Sequence, residues 1–219
     1  MAMIVTIDGP AGSGKSTVAR LLADRLQIGY LDTGAMYRAI ALAVVQSEFN
    51  ENDNDAVTQV AQACTIEFRK GSIYLNTVNV TDEIRAANIT AVASIVASNP
   101  GVRNQLVELQ KKIGTSGDLV TEGRDQGTVV FPQAAHKFFI TASLTARAHR
   151  RHREMLSRGS TLPLQTVKSQ LQQRDSRDKN RVYAPMKPAT DAQVIDTSEM
   201  SIGEVVETLA NRIRPAVSR

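Results

Sequence analysis

Gly9-Pro10-Ala11-Gly12-Ser13-Gly14-Lys15-Ser16-Thr17 decides the fold. The stretch fits the phosphate-loop pattern G-x-x-x-x-G-K-[ST], with Gly9 first and Gly14-Lys15-Ser16 last. Its flanks fit as well. Met3 to Ile7 is apolar and β-branched and reads as a buried strand, while Val18, Leu21, Leu22 and Leu26 recur at helical spacing before Gly29. A glycine-rich turn between a strand end and a helix start can curl its backbone so that N–H groups face phosphate oxygens. The helix N-terminus adds partial positive charge. Lys15 can reach the outer phosphates, and the Ser16 hydroxyl can ligate Mg²⁺. The loop therefore implies a nucleoside triphosphate, without saying which one or what is done with it.

The rest of the chain bounds the answer. At 219 residues, 42% hydrophobic and 22% charged, it is long enough and apolar enough for one full core, which excludes disorder and coiled coil. The formal charge of +4 suits anionic ligands but is mild for a dedicated nucleic-acid binder. Aromatic content of 4% with no Trp argues against single-strand binding by base stacking. One cysteine, Cys64, excludes an intrachain disulfide and fits a reducing compartment. Without a leader pattern or a bilayer-length apolar run, the expectation is a soluble, cytoplasmic protein, and without a large apolar surface stripe, a monomer.

Gly29-Tyr30-Leu31 reads as a second strand ending in Asp32-Thr33-Gly34, followed by a helix with Met36, Ile40, Ala43 and Val44 on its apolar face. Arg38 falls in the first turns of that helix, where a cation opposes the dipole. Either an anionic ligand is held there or an exposed arginine tolerates the position. After an acidic linker at 49–55 and a short helix over 56–64, the period changes to two. Ile66 and Phe68, then Ile73 and Leu75, then Val78 and Val80 alternate with polar residues across turns at Lys70-Gly71 and Asn76-Thr77. This predicts a three-stranded antiparallel meander. A helical stretch opening at Thr81-Asp82 follows, and Asn99-Pro100-Gly101 breaks the chain before a helix over Val102, Leu106, Leu109 and Ile113.

Core strands return at 119–121, 138–140 and 193–196. The first of these runs into Glu122-Gly123-Arg124-Asp125, a site candidate because ligands in open α/β sheets sit at strand carboxyl ends. A surface turn with a local ion pair is the alternative. The helix from Thr145 to Arg158 is basic, as a solvated face or nucleic-acid patch, or as arginines that close over triphosphate. Pro163 opens another helix that runs into Arg174-Asp175-Ser176-Arg177-Asp178-Lys179-Asn180-Arg181, whose alternating charge usually marks a solvated face. Ser201-Ile202-Gly203-Glu204 is a capping box before the last amphipathic helix. Strands alternating with helices and one antiparallel insertion give an α/β class with a parallel sheet.

Taken together, Asp8 to Thr17, Leu31-Asp-Thr-Gly-Ala-Met-Tyr-Arg38, Glu122-Gly-Arg-Asp-Gln-Gly-Thr-Val-Val-Phe-Pro132, Arg147 to Arg151 and Arg174 to Arg181 resemble the bacterial cytidylate kinases, nearly end to end. The resemblance implies a P-loop nucleoside-monophosphate-kinase fold with a five-stranded parallel sheet, and transfer from ATP, with Mg²⁺, to CMP or dCMP. It implies a single domain with core residues 1–49 and 99–219, an inserted monophosphate-binding lobe at about 50–98 and a lid at about 150–164. Gly9, Pro10, Ala11, Gly12, Ser13, Gly14, Lys15, Ser16 and Thr17 would bind ATP, with Ser16 on the metal. Arg38, Arg124 and Arg181 would hold the CMP phosphate, with Thr33 and Tyr37 alongside. Ser94, Arg103 and Asp125 would read cytosine, and Asp178 with Arg174 the sugar. Lys15, Arg124, Arg150, Arg151 and Arg181 would act on the transferring group. Some relatives carry Asp where Glu122 stands and Ser where Thr33 stands. Rival expectations are a kinase of UMP or another monophosphate, and a nucleotide-dependent RNA-binding or regulatory protein.

Overall fold

Two compact units divide the chain: residues 1–31 with 114–219, and residues 32–113. The computed structural model describes residues 2–47, 49–69, 71–157 and 159–213; Lys70 of the expected turn and Arg158 of the basic helix lie outside them.

The first unit is built on a five-stranded parallel sheet in the order β2-β6-β1-β7-β8. β1 (Ile4–Asp8) is central and fully buried, as its unbroken apolar run requires. It lies between β6 (Leu119–Gly123) and β7 (His136–Thr141), parallel to both, with Ile7 opposite Glu122 and Phe138. β2 (Gly29–Asp32) and β8 (Gln193–Asp196) form the edges. Helix α1 (Lys15–Leu26) packs on β6 and on α8 (Ile202–Ile213). Val18, Leu22, Val120, Phe138, Ile140, Val206 and Leu209 share one buried cluster there. Each such side chain contributes about 1.5–3 kcal/mol by leaving water. The capping box forms as expected: Ser201 Oγ accepts from the Glu204 N–H at 3.3 Å, and Glu204 Oε2 accepts from the Ser201 N–H at 2.8 Å.

Several boundaries move, for physical reasons. β6 continues through Glu122 and Gly123, so Glu122 is a buried strand residue rather than part of a turn. After Asp125 the chain makes a π-helical turn over Gln126–Val130, which the sequence pattern did not announce. The charged run 174–181 lies largely in α7 (Leu164–Lys179), and Asp175 and Asp178 in it are buried. Alternating charge suggested a solvated face; here half of it faces inward.

The second unit contains α2 (Thr33–Gln46), α3 (Asn54–Gln62), a three-stranded sheet, a 3-10 turn over Glu83–Arg85, α4 (Ala87–Val96) and α5 (Pro100–Gly114). The meander is as expected in order and sense, β3 (Ile66–Arg69) to β4 (Ser72–Leu75) to β5 (Val78–Asn79), although β5 stops before Val80. Thr81-Asp82 leads into the 3-10 turn, and the α-helix starts only at Ala87. α3 begins within the acidic stretch because Asp53 caps it, accepting from the Asp55 and Ala56 N–H groups. Asn99 ends one segment and starts the next. Its Oδ1 accepts from the Val102 N–H at 3.1 Å, its Nδ2 donates to the Asn54 carbonyl at 2.8 Å, and Pro100 follows at the first helical position. The expected insert at 50–98 thus lies within a larger compact unit that also takes in α2 and α5.

Candidate active site

The phosphate loop leaves β1 at Asp8. Gly9 sits at φ 144°, and a Cβ there would stand 2.0 Å from the Ile140 carbonyl oxygen, so no other residue fits. Gly14, at φ 88°, turns the chain into α1, whose first N–H groups lack helical partners. Together these supply the anion-binding cradle that the motif implies.

Lys15 is buried, and its Nζ donates to the Pro10 carbonyl at 2.7 Å and to Ser13 Oγ at 3.4 Å. Burial, then the Arg124 charge, lowers its pKa to about 7; the Glu122 carboxylate opposes the shift. The adjacent Ser16 hydroxyl donates to Glu122 Oε1 at 2.8 Å. A hydroxyl and a carboxylate oxygen at that separation are hard donors suited to Mg²⁺. Among the described residues no group of three His, Cys, Asp or Glu could hold a metal.

At the carboxyl ends of β1 and β6 the loop meets the Arg124-Asp125 segment. Asp8 accepts from the Gln126 N–H on Oδ1 at 2.9 Å and from the Gly127 N–H on Oδ2 at 2.8 Å. Burial raises its pKa to about 7 despite those two bonds, and the Asp125 charge adds to the rise. Arg124 donates from Nε to Asp178 Oδ2 at 2.7 Å and from Nη1 to the Gly123 carbonyl at 3.1 Å. Arg181 pairs with the other oxygen, Asp178 Oδ1. Burial pushes the Asp178 carboxyl up, but the Arg124, Arg181 and Arg174 charges overcome this and hold it below the usual carboxylate range. Arg181 Nε is buried with no hydrogen-bond partner among the described residues. Lys15, Ser16, Glu122, Arg124, Asp178 and Arg181 thus form a connected set, with Asp125 buried beside it.

Arg150 and Arg151 are engaged elsewhere. Arg150 donates to the carbonyls of Thr197, Ser198 and Met200 and to Thr197 Oγ1, which fastens the connection between β8 and α8. Arg151 pairs with Glu154, three residues on in its own helix, α6 (Leu144–Leu156). Among the described residues no hydrogen bond or ion pair joins either arginine to the phosphate loop. The basic-helix residue that does touch the loop is Arg147, whose Nη1 donates to the Ala11 carbonyl at 2.9 Å. Sequence reasoning gave neither Arg147 nor its partner Asp175 a role, because both sit in charged runs where local pattern cannot separate a buried residue from its solvated neighbours.

The second unit carries its own candidates. Asp32 caps α2, accepting from the Ala35 N–H at 2.8 Å and from Arg38 Nη2 at 3.1 Å. Arg38 is therefore no uncompensated first-turn cation: it lies a turn further on and reaches back to the capping carboxylate. Its Nε is buried without a partner among the described residues. Arg103, buried on α5, donates from Nη1 to Tyr37 Oη at 3.3 Å. Ser94 and Thr33 are buried as well, with the Ser94 hydroxyl donating to the Ala91 carbonyl at 2.9 Å.

Comparison with known proteins follows the same lines. The family described as Cytidylate kinase matches residues 5–215. A cytidylate kinase of Burkholderia thailandensis is 44% identical over 93% of this chain and 90% of its own length. One of Clostridioides difficile is 40% identical over 96% of this chain and 98% of its own. The chain also matches, at 43% identity, a bifunctional pantoate ligase/cytidylate kinase of Synechococcus, of whose length it spans 41%. An uncharacterized protein of Eubacterium ventriosum shares the fold, at TM-score 0.52 with 14% identity over 97% of this chain and 98% of that one. No helix among the described residues is long and apolar enough to cross a membrane.

Proposed function

Since the chain belongs to the cytidylate kinase family and so phosphorylates CMP and dCMP, we propose a division of that work among its own residues. The observation that carries it is the set of cations gathered at the ends of β1 and β6: Lys15 buried in the loop, next to Ser16 bonded to Glu122, and Arg124 and Arg181 sharing the Asp178 carboxylate. Cations crowded in this way call for a shared polyanion. The acceptor is already an anionic phosphate oxygen, so no general base is required; the task is to align two polyanions and neutralise them. Gly9 to Thr17 take the ATP phosphates, with Lys15 following charge onto the transferring group. Ser16 and Glu122 are the residues to hold Mg²⁺, which when bound neutralises phosphate charge. Arg124 and Arg181, held apart and oriented by Asp178, take the acceptor phosphate as forks, with Arg174 beside them. The buried Nε of Arg181, and in the second unit that of Arg38, supports an incoming oxygen acceptor. Asp125, Ser94 and Arg103 are assigned to the base, with Thr33 and Tyr37 on the acceptor side. The mild charge of +4 supports free nucleotides rather than nucleic acid as partner. A monomer, on the lack of a large apolar surface stripe in the sequence, and a cytoplasmic location, on the single cysteine that fits a reducing compartment, complete the proposal.

The test is a panel of ATP and Mg²⁺ with CMP, dCMP, UMP and AMP. CDP and dCDP should form with kcat/KM well above that for UDP. Equal rates on UMP would move the assignment to a broader monophosphate kinase. Nucleotide binding without turnover on any acceptor would favour a regulatory protein.

A further inference from the structure

Ala11, in the middle of the phosphate loop, is held by two side chains, one from each of α6 and α7, that sequence analysis gave no role. Its N–H donates to Asp175 Oδ1 at 3.1 Å, from α7, and its carbonyl accepts from Arg147 Nη1 at 2.9 Å, from α6. The same Arg147 Nη1 pairs with Asp175 Oδ2 at 2.6 Å, while Arg147 Nε donates to the Ala142 carbonyl at 2.9 Å. One carboxylate and one guanidinium thus satisfy both polar groups of a single loop residue and each other. All three residues are buried. The Ala11 methyl group sits in an apolar cluster with Ala148, Val167 and Leu171. A Cβ on Gly12 would come within 3.3 Å of the Arg147 carbonyl oxygen and 3.6 Å of Leu171 Cδ1, so the next residue rests on the same two helices.

From this geometry we propose that Arg147 and Asp175 are positioning residues for the phosphate loop. They touch no substrate; they fix the Ala11 backbone so that the loop is already shaped for triphosphate. A loop whose N–H groups must be gathered on binding would pay conformational entropy that a pre-shaped loop does not. Asp175 suits the role because its two oxygens are divided between the loop and the arginine. Arg147 suits it because a planar fork can serve two acceptors at fixed angles, which an ammonium cannot.

The proposal rests on Gly9 to Thr17 being the ATP site, and its test keeps the two apart. Dissociation constants for a non-hydrolysable ATP analogue with Mg²⁺, and separately for CMP, are measured by calorimetry for wild type, Asp175→Asn, Arg147→Lys, Arg147→Ala and Asp175→Asn/Arg147→Ala, with Tm for each. Weakening of the analogue by about tenfold is expected in Asp175→Asn, about 1.4 kcal/mol, with CMP within twofold. The double variant should be no worse than Arg147→Ala, because both residues act through one peptide. Arg147→Lys should recover part of what Arg147→Ala loses. Folded variants with unchanged analogue affinity, or with analogue and CMP weakened equally, would overturn the proposal and leave only a structural ion pair. Should Asp175→Asn fail to fold, Arg147→Lys carries the same comparison. If wild type itself does not bind the analogue, the ATP site has been misassigned, and this inference falls with it.

Discussion

Arg124 and Asp178 join the end of β6 to the last turn of α7 through an Nε–Oδ2 hydrogen bond of 2.7 Å, with Arg181 on the opposite oxygen of the same carboxylate. A single anion thus holds two guanidinium groups at a fixed spacing, ready for a ligand with more than one phosphate oxygen. Asp178→Asn should remove that restraint. We expect kcat/KM for CMP to fall by at least about tenfold, with KM for ATP changed much less. Stability gives a second readout. The Asp178 carboxyl lies below the usual range in the folded state, so its contribution is complete above the unfolded value of about 3.9 and is lost as pH falls through the folded value. The Tm gap between wild type and variant should therefore hold from pH 7 to 5 and close below about pH 4. A gap independent of pH would mean that the carboxylate charge is not what stabilises the cluster.

Lys15 donates to the loop's own Pro10 carbonyl at 2.7 Å. On the proposed assignment, Lys15 leaves that carbonyl for the phosphoryl oxygens as charge develops. Lys15→Ala should lower kcat by about a hundredfold or more, exceeding its effect on ATP affinity, as for other groups that act in the transition state. Single-turnover rates in the presence of saturating CMP check this directly, and a near-normal rate would remove Lys15 from the chemistry.

Much of this was legible in the sequence, and the reasons are local. Gly9 to Thr17 could be read because its glycines answer to backbone geometry within the stretch itself, and the meander because period-two alternation depends on neighbours alone. Arg147, Asp175 and Arg150 could not be read in the same way. Their partners lie 136, 164 and 47 residues away along the chain, in Ala11 for the first two and Thr197 for the third. In a helix rich in arginine, which residue faces inward is set by what the helix packs on, here α7 and the phosphate loop, so Arg147 and Arg150 look alike until the fold separates them. The π turn after Asp125 was hidden for a related reason. Gln126-Gly127-Thr128-Val129-Val130 has no local helical signal, and its shape depends on Asp8, 118 residues earlier, accepting the Gln126 N–H.

Base selection should centre on Asp125. Cytosine offers an amino donor where uracil offers a carbonyl acceptor, and a carboxylate can only accept. Asp125→Asn should shrink the CMP/UMP ratio of kcat/KM by about 1–3 kcal/mol, mostly through loss on CMP with UMP flat or improved. If both substrates weaken together, Asp125 serves the shape of the segment after β6, and base selection passes to Arg103 and Ser94.

Asp8 gives the pH dependence its sign. The residue is buried, its carboxylate spans the Gln126 and Gly127 N–H groups, Asp125 faces it from the turn and Lys15 from α1. Burial raises its folded pKa to about 7, against an unfolded value of about 3.9. Between those values the folded state keeps a proton that the unfolded state has released, so this group's contribution to stability falls as pH rises from about 4 to 7. Function runs the other way. The carboxylate accepts both N–H groups strongly, one on each oxygen; protonation turns one oxygen into a hydroxyl, a donor and a much poorer acceptor. The Arg124-Asp125 segment should therefore be best ordered at or above pH 7, at a cost in stability. Asp8→Asn fixes the residue near its protonated form. We expect wild-type Tm to decline relative to the variant from pH 5 to 7 while, at saturating ATP whose phosphates keep Lys15 charged, wild-type kcat/KM for CMP rises across pH 6 to 8, and the variant to lack that rise. Parallel Tm curves together with parallel pH–rate curves would show that Asp8 does not titrate in this range, and the acid limb would have to be assigned to another group.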